Sequence, residues 1–88
     1  MRLKYMFETI ELDGQIVAIP VGEKADEFQG VIKLNETAAY IFDRLKEDTT
    51  KEAIIQALEE EYDIPVETIA NDVEYYIAMF TEKGLLVE

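Results

Sequence analysis

Asp13-Gly14 stands between two apolar-rich runs, and it constrains the fold more than any other feature of the chain. A tight two-residue hairpin needs positive φ at its centre, which Asp-Gly supplies readily, so the flanking runs are tied as antiparallel neighbours. Before the turn, Met6, Ile10 and Leu12 occupy even positions while Thr9 and Glu11 occupy odd ones. That period of two predicts a strand over Met6 to Leu12 with its even face buried. Gln15 to Val21 is the β-branched return strand, and Pro20 predicts that it either ends there or lies at a sheet edge.

Gly22 to Gly30 is polar and turn-rich, and Val31-Ile32-Lys33-Leu34 after it reads as a short third strand. At Asn35 the period changes. Asn35 is a good N-cap, and Ala38, Ile41, Phe42 and Leu45 follow one helical face, predicting a helix over 36–47. Thr49 with Glu52 three residues later is a capping box for a second helix over 50–62, buried through Ile54, Ile55, Leu58 and Tyr62. Pro65 opens a third over 65–83 with Ile69, Val73, Tyr76, Ile77 and Phe80 inward and Gly84 as its stop. Leu85 to Val87 form an apolar tail. Strands first and helices after, without repeat or linker, predict one α+β domain over residues 1–88 in the order β-β-β-α-α-α.

With 88 residues and 49% apolar content, the chain can bury one modest core. Twenty acidic residues against eight basic give a net charge of −12, which repels phosphate backbones and anionic lipid, so neither nucleic acid nor membrane is an expected partner. Arg2 and Lys4 near the start precede no apolar run long enough for a signal peptide or a membrane span, and a cytoplasmic location is expected.

Cysteine, histidine and serine are absent. Thiolate and serine nucleophiles, Cys/His zinc sites and imidazole acid/base chemistry are thereby excluded. The carboxylates of Glu59-Glu60-Glu61, Asp63, Asp72 and Glu74 diverge around helices and lack the spacing of a calcium loop, so they read as solvated faces. No glycine run joins strand to helix as a phosphate cradle. Neither catalytic residue, metal nor cofactor is expected. Most aromatic residues fall on core faces, with Tyr40 and Tyr75 expected at the surface.

Leu34-Asn35-Glu36-Thr37-Ala38-Ala39-Tyr40-Ile41-Phe42, followed in order by the Thr-x-x-Glu helix start, Tyr62, Asp72-Val73, Phe80 and Gly84-Leu85-Leu86, resembles the PqqD-like family over Val31 to Leu86. The resemblance implies a winged-helix-like recognition element that binds the leader segment of a ribosomally made precursor peptide and presents it to a modifying enzyme, often a radical SAM protein. It implies no catalysis by the module itself. It also implies that the leader lies between the third strand and third helix, beside the main chain of Val31, Ile32, Lys33 and Leu34 and the helix face of Ile69, Asp72, Val73 and Tyr76.

Elementary physics makes such a role reasonable, since an edge strand offers unpaired N–H and C=O groups to an incoming strand. The same edge can also pair with a second copy of the chain. Ile32, Leu34, Ile69, Val73 and Tyr76 have a competing role as core residues, and Lys33 one as a guard against edge aggregation. Two other readings use the same elements. A winged helix can read DNA, but Asp63 to Lys83 carries five acidic residues against one lysine. An acidic subunit docking on an enzyme without any leader is the other.

Overall fold

The computed structural model describes residues 1–28 and 30–87; Gln29, inside the expected Gly22–Gly30 loop, and Glu88 lie outside the described residues. The hairpin forms as β2 (Met6–Leu12) and β3 (Gln15–Val21), with Asp13 at φ 50° and Gly14 at φ 78° in the turn. These paired positive angles are what a two-residue turn needs to match the right-handed twist of its strands. β4 (Ile32–Leu34) joins the other side of β3, giving an antiparallel sheet of order β2-β3-β4. Pro20 therefore marks the end of a central strand, not an edge strand.

Three helices follow: α1 (Glu36–Arg44), α2 (Lys51–Glu61) and α3 (Val66–Glu82). α1 stops three residues short of the expected 47, where Leu45 turns its N–H back onto the carbonyls of Ile41 and Phe42. For α2 the cap is Thr50, not Thr49: its hydroxyl accepts from the Ala53 N–H at 3.1 Å. Thr50 holds the extended backbone that an N-cap requires, φ −124° and ψ 160°. Pro65 precedes α3, and Gly84 at φ 75° ends it in the left-handed conformation.

A second, two-stranded sheet was not legible in the sequence. β1 (Arg2–Leu3) pairs antiparallel with β5 (Leu86–Val87), so the expected apolar tail is a strand. The Leu3 N–H also donates to the Leu45 carbonyl at 2.8 Å, fastening this ribbon to the end of α1.

One core cluster collects Leu3, Phe7, Ala18, Ile32, Leu34, the buried faces of all three helices and Leu85. Phe42, fully buried, is its centre: its ring lies 5.1 Å from Phe7 and 5.5 Å from Phe80, centroid to centroid, both edge-to-face. These are the distances and angles that aromatic quadrupoles favour. The expected parity of β2 is inverted. Phe7, an odd residue, enters the core, while Met6, Ile10 and Leu12 are 70%, 39% and 56% exposed. One phenyl ring that can reach Phe42 anchors the strand against three aliphatic side chains that cannot.

Candidate functional site

The hairpin turn dictates which main-chain groups of β4 are free. Residues flanking a two-residue turn form a hydrogen-bonded pair, here Leu12 and Gln15, and bonded and non-bonded pairs alternate from there. Gln15, Val17, Ile19 and Val21 thus turn their N–H and C=O groups toward β2, while Ile16, Ala18 and Pro20 turn theirs the other way. Ile16↔Leu34 and Ala18↔Ile32 are then the bonded pairs of β3 with β4, and Val17↔Lys33 is not. Ile32 and Leu34 use their groups on β3, whereas Lys33 aims its N–H and C=O at the open edge. Among the described main-chain bonds outside the ladder, none uses Lys33. Pro20 obeys the same alternation: it stands where β4 would need a donor, has none, and pairing stops at Ala18↔Ile32.

Side chains sort differently from main-chain groups. Ile32 and Leu34 are buried in the core, while Val31 is 54% exposed. Lys33 is exposed and, being paired with Val17, projects its ammonium onto the outer sheet face, not along the edge.

Two contacts orient α3. Glu74 takes a salt bridge from Lys51 of α2 at 3.1 Å, and Tyr76 accepts at its hydroxyl from the Asn35 side-chain amide at 2.7 Å. Residues two apart are about 200° apart around a helix, so one flank of α3 belongs to α2 and the opposite one to the end of β4. Asp72, one turn before Tyr76, lies on that second flank, and both are half-buried. Ile69 and Val73 are buried on the stripe between the flanks. Of the eight residues expected at the site, the structure therefore brings the Lys33 main chain, Val31, Asp72 and Tyr76 to accessible positions and leaves Ile32, Leu34, Ile69 and Val73 buried in the core. Tyr75, 64% exposed and stacked edge-on against Tyr76 at 5.0 Å, joins the helix side.

Asn35 links α1 to α3. Its Oδ1 accepts from the Ala38 N–H at 2.8 Å, capping α1, while its Nδ2 holds Tyr76. Asn35→Ala loses both bonds and is expected to lower stability by about 1 kcal/mol, roughly 4–8 °C in Tm, by thermal denaturation followed by circular dichroism. An unchanged Tm would show that neither bond matters to the fold.

Electrostatics near the site are those of a surface. The described residues include no buried polar or charged side chain, and no three acidic side chains gather as a metal-holding set. A hydrogen bond from Arg44 holds the Asp43 carboxyl below the usual carboxylate range, against some opposing desolvation and with help from Lys46. The Tyr62 hydroxyl is pushed up by desolvation and by Glu36, which lies 3.4 Å away. Tyr40, expected at the surface, is half-buried because it packs edge-on against Tyr62 at 5.9 Å.

Comparison with protein families gives a match to coenzyme PQQ synthesis protein D (PqqD) over residues 14–86. The chain belongs to the PqqD family. The match begins at the hairpin turn, so it takes in β3 as well as the stretch from Val31 onward. Two solved structures share the fold. One, described as TbiB1 in complex with the TbiA(beta) leader peptide, aligns with a TM-score of 0.71 at 20% identity, over 98% of this chain and 94% of the other. A lasso peptide synthetase B1 complexed with the leader peptide aligns at 0.69 and 23% identity, over 99% and 96%. Among curated proteins no sequence relative was matched. The strands and helices of this PqqD-family chain thus have counterparts along nearly the whole length of both structures, the β1–β5 ribbon included in the span covered.

Proposed function

We propose that this PqqD-family chain binds the leader segment of a ribosomally synthesised precursor peptide as an added strand on β4 and presents it to a modifying enzyme, a radical SAM protein being the expected type. The observation that carries the reading is the free N–H and C=O of Lys33 beside the flank of α3 that bears Asp72 and Tyr76. An extended peptide satisfies those groups while its alternate side chains meet Val31 on one side and the tyrosines on the other. Main-chain pairing supplies affinity with little demand on sequence; the α3 flank supplies selection. Fold likeness to two proteins described with leader peptides supports the same assignment.

The chain acts here as a chaperone, with the chemistry left to the enzyme. Its lack of cysteine, histidine and serine, and the surface character of its described carboxylates, support that division. No described helix is long and apolar enough to cross a membrane.

Titration of the isotopically labelled chain with the precursor's leader tests the reading. Amide signals of Val31 to Leu34 and of Ile69 to Tyr76 are expected to shift together. Shifts confined to α2, on the far flank of α3, would refute the groove.

A further inference from the structure

The sheet β2-β3-β4 ends in two edges, and β2 is the longer of them. The alternation that frees Lys33 also runs the other way through the hairpin. Glu8, Ile10 and Leu12 bond β3, so Thr9 and Glu11 turn their N–H and C=O groups toward the outer edge of β2. Both residues are exposed, and among the described main-chain bonds outside the ladder none uses either. Edges that meet only water are commonly blunted by lysine, proline, a bulge or shortness. β2 has none of these: it is seven residues long, carries no basic residue or proline, and pairs with β3 in unbroken register from Met6↔Val21 to Leu12↔Gln15. Its charges are the carboxylates of Glu8 and Glu11, which repel an acidic strand and attract a basic one.

The side chains of Thr9 and Glu11 lie on the inner sheet face, over a cleft of about 380 Å³ that separates residues 9–11 from Glu36 and Asp43 of α1, with Tyr40 and Tyr62 in its wall. A second cleft of about 520 Å³, round the hairpin turn, shares Glu11, Ile16 and Glu36 with it. No basic residue lines either one. Asp43 is paired with Arg44 and Lys46, and Glu36 accepts from Tyr62, while Glu11 enters no described ion pair or hydrogen bond. Arg44, outside the lining, lies 5.4 Å over the Tyr40 ring. The lysines near the sheet stand elsewhere: Lys4 and Lys24 border Met6 and Val21 at the far end of the hairpin, and Lys33 is two strands away.

Main chain and side chains together specify what fits. A strand added to β2 places alternate side chains beside Thr9 and Glu11 over the cleft, and the others beside Ile10 and Leu12, which are 39% and 56% exposed on the opposite face. The complement is an extended segment with Lys or Arg on one face and apolar residues on the other. A second copy does not supply it: its own β2 would turn Thr9 and Glu11 over the cleft with no cation, and −12 would meet −12. Resting on the leader-presentation reading above, we infer that the outer edge of β2 receives an extended segment of the modifying enzyme, basic toward the cleft and apolar toward Ile10 and Leu12. A chaperone that holds the leader on one edge needs another surface for the enzyme, and β2 offers main-chain groups and an acidic cleft side by side. Leader and enzyme then occupy opposite edges of one sheet and do not compete.

The test uses the full chain, its precursor peptide and the modifying enzyme encoded in the same gene neighbourhood, each purified. Thr9→Pro removes an N–H that points to the open edge and none that bonds β3. It is expected to weaken enzyme binding about tenfold or more while leader affinity stays within about twofold. Glu11→Lys, at an exposed position, is expected to weaken enzyme binding with the fold intact, and rising salt to weaken the wild-type contact. Should Thr9→Pro lower Tm sharply, Glu11→Lys decides alone. Enzyme affinity unchanged in either folded variant would overturn the inference, as would a wild-type chain that binds no enzyme with or without leader. So would sedimentation showing a wild-type dimer that Thr9→Pro turns into a monomer, because a second copy would then own the edge. Enzyme binding that responds to the variants while the wild-type chain shows no leader affinity would support the β2 edge and refute the leader reading alone.

Discussion

A Lys33→Pro variant is expected to fold as the parent does and to bind the leader at least tenfold more weakly, as measured by calorimetry or fluorescence anisotropy. Proline removes only the N–H that points to the open edge, so the ladder to β3 keeps all its bonds. The lost bond costs about 1 kcal/mol, and the leader carbonyl left without a donor adds about 1–3 kcal/mol, for a combined effect of roughly thirtyfold to nearly a thousandfold. Lys33→Ala, which keeps the main chain, should stay within a few-fold of the parent. Ile32→Pro is the opposite case: it removes an N–H that bonds Ala18, and its Tm should fall while Lys33→Pro leaves Tm nearly unchanged. Equal leader affinity in Lys33→Pro and parent would mean that the peptide does not extend the sheet at this edge.

The largest expected effect on stability belongs to Phe42→Ala. Truncating a fully buried phenyl ring costs about 3–5 kcal/mol, and Phe42 touches aromatic partners on both sides, Phe7 from the hairpin and Phe80 from α3. Domains of this size carry about 4–13 kcal/mol in total, so the variant should lose a large share of its stability, read as a fall in the urea midpoint. A loss under about 1.5 kcal/mol would show that the aromatic row is not what joins sheet to helices. Phe42 also lies in α1, whose N-cap is Asn35 at the end of β4, which is why damage at the centre should loosen that edge too.

The elements that could be read from the sequence are those whose signal is local. Asp13-Gly14 specifies a turn by backbone angles alone, and Asn35, Pro65 and Gly84 mark helix ends by capping chemistry that needs no distant partner. The face of β2 could not be read that way. Counting apolar residues favours Met6, Ile10 and Leu12, but burial is decided by what stands opposite, and only Phe7 has Phe42 to meet. The β1–β5 ribbon went unread because two-residue strands carry no period. At the candidate site, the third strand and third helix were legible as elements, yet their side chains divide into buried and exposed in a way that spacing does not reveal. The singular position of Lys33 was latent in the sequence all the same: a two-residue turn fixes the alternation of bonded pairs, and that alternation, carried across β3, reaches β4.

The ribbon that ties Leu3 to Leu86 bears on how the chain matures as it leaves the ribosome. The hairpin, β4 and α1 close over short separations and can form as they are made, whereas β1 has to wait for β5, which is translated after all three helices. Closing so long a loop adds little over a shorter one, because the entropic cost grows only with the logarithm of length. The delay is one of order, not of expense: a nascent chain exposes its β4 edge first, gains the α3 wall next, and closes the ribbon over Leu3 and Leu45 last.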